Sequence, residues 1–455
     1  MTHYNSASSA HFKSAIVRAA FWSIACCLAA FASVLAAAQQ AGPEPTIKLS
    51  PAIPHEVEHG WSTGNPQLPF DVFSWNSFIA LNWPPGPDGE GDPNKKIGAS
   101  GDNRTVWEEW IDAPDIFLPG GKPPKWMAHS NIPDACKKSY EPGMVILRQV
   151  GKTPDLLELS IQPFDTGPLI DQNGAYARFQ VNVNRSAFDY ILANALYSKA
   201  GQQSFSGPVS FPCGQGEQQG TITAKAAWKV LGAHDNKEHF HKTQALVYTA
   251  ASVNPPVKES CRKETVGLVG FHIGHKVNHA PQWVWSTFEQ VDNVPTEQDI
   301  KNNKLKTHYN YYNPQCKSCQ VNIPAPRPWI PNRPGPPTQV VRMDVFPQNT
   351  AERALEQNQK AQQLLRGVSA KSVWQYYQLV STQWPSTAGD CNAIAPDFGN
   401  PAPQFLANTT LETYIQGTVP NTSSSCISCH RRATLTTGGA PGSGADFIFL
   451  LQSAK

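Results

Sequence analysis

A chain of 455 residues is long enough to bury a large core without relying on cross-links. Its 37 basic residues nearly balance 35 acidic ones, which excludes the dense positive footprint of a nucleic-acid-binding protein. Forty prolines, 32 glycines and 13 tryptophans, with only 16% charged residues, exclude a long helical bundle or repeat array and predict many turns with aromatic packing between them.

At the N-terminus, Lys13 and Arg18 precede an uncharged run from Ala19 to Ala38 that ends in three alanines. This pattern predicts a secretory signal peptide over 1–38, cut after Ala38, with the mature chain periplasmic or otherwise exported and left without a stable membrane span. An uncleaved anchor is the alternative for a run of this length, but the small residues before Gln39 point to cleavage. Residues 39–70 lack periodicity and read as an extended lead-in.

Over 71–83, Val72, Phe73, Trp75, Phe78, Ile79 and Leu81 recur at helical spacing, and Pro84-Pro85 ends the run. A short helix is expected over 104–112, with Trp107 and Trp110 near one face and Glu108 and Glu109 toward solvent. From there the texture is β-like: strands are expected over 144–149, 177–184, 221–231, 243–250, 265–277 and 282–288, with one helix over 186–198. The simplest arrangement is an α+β fold, a largely antiparallel sheet with helices packed on it, spanning 39–323. The proline-dense stretch 324–345 reads as a stiff surface connection to a helical region over 346–455, with helices over 350–366 and 369–384.

That last region ends in the motif that carries the chemistry, Cys426-Ile427-Ser428-Cys429-His430. In C-x-x-C-H the two thiols add across the vinyl groups of one haem and the following imidazole binds its iron, so the motif predicts one covalent haem c with His430 as proximal ligand. Composition alone would produce the pentapeptide roughly once in 150 shuffled sequences. Six other cysteines remain after export: Cys136, Cys213, Cys261, Cys316, Cys319 and Cys391. They permit three disulfides in any of about fifteen pairings. Cys316-Lys317-Ser318-Cys319 repeats the spacing but is followed by Gln320, so a disulfide role is expected there rather than a second haem.

No methionine or histidine follows His430, so any protein ligand on the other side of the iron comes from upstream. The candidates are Met343, His272, His275 and His279, with Met127, Met144, His234, His239 and His241 further off and a vacant position as the last possibility. On a regular strand, His272 shares a face with Val266 and Leu268, and His275 shares the other with Val269, Phe271 and Ile273, so the two do not converge. A copper or zinc site built from His239 and His241 with His272 or His279 competes with the plainer expectation of hydrogen-bonded structural histidines.

The segments 74–83, 267–273 and 281–289, together with the C-x-x-C-H region, resemble a group of exported bacterial proteins described only as cytochrome c family proteins. The resemblance spans most of the mature chain and implies haem binding outside the cytoplasm, without implying a substrate. Small soluble cytochromes c carry the motif near the N-terminus with a methionine ligand downstream, so methionine ligation does not carry over, and there is no second C-x-x-C-H of the dihaem-peroxidase kind. Three functions are compatible: electron transfer to a periplasmic redox partner protein, a haem enzyme or gas-binding protein with an open distal site, or a binding module with an accessory haem.

Overall fold

The computed structural model describes residues 44–62, 66–99, 104–148, 166–214, 216, 218–253, 256–343, 348–391, 400–417, 424–436 and 444–455. The expected signal peptide and the end of the 144–149 strand lie outside them. Residues 47–455 form one compact unit. Its frame is a nine-stranded sheet: β1 (Ile111–Asp112), β2 (Val145–Leu147), β3 (Arg178–Val183), β4 (Ile222–Val230), β5 (Lys242–Thr249), β6 (Ser260–His275), β7 (Val284–Gln290), β8 (Tyr377–Pro385) and β9 (Pro401–Ala402). The main path runs β1-β3-β4-β6-β7-β8-β9 and is antiparallel throughout, while β2 joins β5 in parallel. The mixed fold with a largely antiparallel sheet is therefore the α+β class expected.

All six strands expected before residue 290 are present, and β6 exceeds its expected length, because its first half pairs with β5 and its second with β7 while β4 runs along the other edge. One face of the sheet is covered by α1 (Gln67–Leu81), which buries residues all round because a second helix, α3 (Gln348–Val368), packs over it. Between these helices in the chain, α2 (Arg185–Ala193) packs elsewhere, in the cluster around Trp283 and Trp285. The α1 ring of Phe78 stacks on Phe288 at 4.3 Å and meets Phe271 and Trp374 edge-on. A polar seam fixes the register of α1: Ser74 Oγ lies 2.7 Å from Ser286 Oγ and 2.6 Å from Thr382 Oγ1. Trp75 donates to Asn358 of α3.

Three expectations need correction. Residues 106–109 form a 3-10 turn capped by Thr105, and Glu108 does not face solvent: its carboxylate is buried against His241 at 3.1 Å. Residues 369–384 are not a helix but a short 3-10 turn, Val373–Tyr376, followed by β8. A bulge at Val380, between the paired residues Leu379 and Ser381, breaks the two-residue alternation, so the apolar positions 373, 377, 380 and 384 mimic helical spacing. The β-branched and aromatic content of the segment suits the pleated edge of β7. The proline-dense stretch does not separate two compact units. Val340 is buried with Phe179, Ala227 and Val269, and Arg342 pairs with the buried Glu289 of β7, so the stretch packs on the sheet.

Phe78 joins α1 to the sheet and to the turn before β8. Phe78→Ala is expected to cost about 3–5 kcal/mol of unfolding free energy in urea titration, the range for an emptied aromatic site in a close-packed core. A loss below about 1 kcal/mol would contradict this packing.

Candidate functional site

The face of the sheet opposite α1 carries the C-terminal segment. A register row crosses five strands on this face: Val183, Thr223, Gly274, Trp285 and Gln383. Two residues along lies a second row, Val181, Lys225, His272 and Thr287. Gly274 has no room for a Cβ, which would stand 2.8 Å from Thr223 Oγ1 and 3.2 Å from the Trp285 indole, so the small residue lets Trp285 lie flat across the strand.

Above Trp285 sits α4 (Cys426–His430). Ser425 caps it by accepting from the Ser428 amide, and Gln383 accepts from both the Ile427 amide (2.9 Å) and Ser425 Oγ (3.2 Å). Ile427 is fully buried among Phe188, Trp283 and Trp285. The motif is thus docked on the sheet by one buried apolar side chain and one buried amide. His430 lies 4.3 Å from the Trp285 ring, and its Nδ1 is 2.7 Å from the Phe447 carbonyl oxygen. A carbonyl can only accept, so Nδ1 carries the proton and the lone pair of the neutral ring is on Nε2.

The Phe447 carbonyl is aimed by an uncommon backbone. Asp446 and Phe447 have φ of 47° and 66°, and two consecutive left-handed non-glycine residues cost roughly 1–2 kcal/mol each. The turn is held by Asp446, whose carboxylate accepts from Lys276 Nζ at 2.6 Å and from the Phe211 amide at 2.7 Å.

Cys426, Cys429 and His430 line one wall of an open cleft, with Phe447, Ile448, Phe449 and Leu450 beside them and Val181, Thr223, Lys225, His272, Gly274 and Trp285 on the sheet side. The mostly apolar lining, with a few polar groups converging on it, is that of a ligand site. The two motif thiols take no part in a disulfide, whereas the other six cysteines among the described residues pair as Cys136–Cys261, Cys213–Cys391 and Cys316–Cys319. The thiols, the apolar space and an imidazole with its Nδ1 proton already held fit a covalently attached haem.

The upstream candidates separate. His272 lines the cavity, paired through Nε2 with Glu412 Oε2 at 3.1 Å. His275 points to the opposite face against Phe73, accepts from Gln219, and is pushed down to about 3 by burial. His279 is exposed beside Glu56, and Met343 lies at the surface. The opposite orientation of His272 and His275 is as expected, but the face partners differ. A bulge at Val269 shifts the alternation of β6, so Val266 and Leu268 pack with Phe271 and Ile273 on the α1 side. His239 and His241 pair separately with Asp292 and Glu108. Among the described residues no three or more His, Cys, Asp or Glu side chains converge on a metal-ion site; a haem bound through one imidazole calls for no such cluster.

Glu412, Lys225, Gln383 and the Lys276–Asp446 pair have no motif that announces them. Lys276 alone was reachable, by extending the β6 alternation two residues past Gly274. Glu412 comes from a loop pinned to the sheet, where the Asn408 side chain donates to Thr287 Oγ1 and the Phe288 carbonyl and its backbone amide donates to the Glu412 carboxylate. No family model, no curated protein and no solved structure matches the chain.

Burial would raise the Glu412 carboxyl, but the adjacent His272, with Lys225 adding, outweighs it and holds the group at about 2. With the folded value below the ordinary 4.5, the charged carboxylate stabilises the fold above about pH 4.5, and that contribution is lost as pH falls toward 2. Its size is on the order of 3 kcal/mol. Glu412→Gln should therefore lose less stability than the wild type between pH 6 and pH 3 in parallel urea titrations; equal losses would show that the pair does not set the acid response.

Proposed function

We propose that the chain is an exported c-type cytochrome with one covalently attached haem, passing single electrons between partner redox proteins outside the cytoplasm. The observation that carries this reading is the shared wall: the two cysteines outside the disulfide set and the His430 ring line one apolar cavity. Haem, when bound, supplies an iron that accepts and releases one electron. Cys426 and Cys429 would hold it by thioether bonds, and His430 would present Nε2 as the proximal ligand. The Phe447 carbonyl keeps the proton on Nδ1, which fixes the tautomer and raises the donor strength of the ring. Trp285, Ile427 and the 447–450 segment exclude water from the attachment side, and Gln383 stops α4 from rotating on the sheet. The N-terminal pattern of a charged start, an apolar run and a small-residue end supports export. No helix among the described residues is long and apolar enough to cross a membrane.

A second reading, a haem enzyme or gas-binding protein, is favoured by one feature. His272, oriented by Glu412 and facing Lys225 in register, lines the same cavity and is placed to act as an acid or base toward a small ligand there.

The two readings separate by absorption spectra of the protein matured with haem, recorded ferric, ferrous, and ferrous with carbon monoxide. Electron transfer predicts a low-spin spectrum unchanged by carbon monoxide, with His272→Ala converting it to a form that binds the gas if His272 occupies the sixth position. A high-spin spectrum that shifts on adding carbon monoxide in the wild type would move the assignment to the second reading.

A further inference from the structure

We infer that Lys276 and Asp446 are positioning residues for His430: their buried ion pair holds the Phe447 carbonyl on the Nδ1 proton of the imidazole and so sets how strongly that ring donates to iron. The inference rests on the haem reading of the cavity.

The chain of contacts is short. Lys276 follows β6 immediately and continues the alternation that places Gly274 and His272 on the cavity side. Its ammonium is 2% exposed and the Asp446 carboxylate 9%, at 2.6 Å. Asp446 also accepts from the Phe211 amide, so its side chain is held by two separate segments at once. The next residue supplies the carbonyl that receives the His430 proton.

Left-handed backbone at a phenylalanine is disfavoured and relaxes unless its surroundings hold it. Backbone bonds fix the turn on either side, from the Ala445 amide to Ala433 and from the Ile448 amide to Ala445. From the turn itself, the Asp446 side chain ties to Lys276 beside the sheet. A buried ion pair is a poor source of net stability compared with apolar packing, since both charges give up hydration, and its best-attested use is to select one geometry. The geometry selected here is a hydrogen bond to a ring that would bind iron. A stronger bond at Nδ1 gives the imidazole more anionic character, which favours the ferric state and lowers the reduction potential.

The test uses the full-length protein with Lys276→Met and Asp446→Asn, and Lys229→Met as a control that breaks another fully buried ion pair, with Asp235, away from the cavity. The Phe211 amide and Lys276 both donate to Asp446 Oδ2, so Asp446→Asn keeps the shape and an acceptor there while removing the charge, which keeps the test decisive even if Lys276→Met fails to fold. Two quantities are read: the haem midpoint potential, and hydrogen exchange of the His430 Nδ1 proton by nitrogen-15 NMR on haem-free chain.

The expected result is that both variants raise the potential, by an amount equivalent to about a tenfold change in the oxidised-to-reduced ratio, or about 59 mV, and speed exchange of the Nδ1 proton at least about tenfold, while Lys229→Met leaves both unchanged. Through-space charge alone gives opposite signs, since losing a cation lowers the potential and losing an anion raises it. Opposite shifts, no shift, or an equal response in Lys229→Met would overturn the inference. A wild-type chain that takes up no covalent haem would sink the haem reading instead, and proton exchange would still decide whether the pair positions the ring.

Discussion

The two-residue alternation of β6 is the constraint on which the arrangement depends. Odd-numbered residues after its bulge, Phe271, Ile273 and His275, face α1 and close the larger core, whereas Gly270, His272, Gly274 and, just beyond the strand, Lys276 face the cavity side. These cavity-side positions set what packs on this face. Gly270 admits the 408–412 loop, where a Cβ would come within 2.1 Å of Thr410 Oγ1. His272 holds Glu412, Gly274 makes room for the indole beneath α4, and Lys276 holds Asp446. A one-residue slip in β6 would turn all four contacts to the wrong face at once.

This geometry explains why the C-x-x-C-H segment, near the end of the chain, does not need a domain of its own. A five-residue helix cannot be stable alone. Here it borrows a sheet for its floor, a glutamine from β8 for its orientation and a returning C-terminal segment for its wall. Much of the polypeptide outside the motif is thereby accounted for as the scaffold that positions it, with three disulfides tying its loops.

The strands were legible because their β-branched and aromatic runs are bounded by turn residues, and α1 because its apolar spacing is regular and two prolines end it. What misled were the two bulges. At Val380 an extra residue turned a strand pattern into an apparent helix, and at Val269, just before Gly270, it exchanged the face partners of His272. Cys426, Cys429 and His430 were legible as a contiguous motif. The pairs that orient them were not, because Gln383 to Ile427, Glu412 to His272 and Lys276 to Asp446 join residues 44, 140 and 170 positions apart. The apparent histidine cluster dissolved for a related reason: His239, His241, His272 and His279 each meet a different carboxylate contributed by a distant segment.

The central claim is covalent haem at α4, and intact-mass spectrometry of the denatured protein, expressed with a haem-attachment system, tests it most directly. The account predicts a mass greater than that of the mature polypeptide by one haem in the wild type, with the increment lost when Cys426 and Cys429 are both replaced by alanine. A wild-type chain at the bare polypeptide mass, or an increment that survives the double replacement, would contradict it.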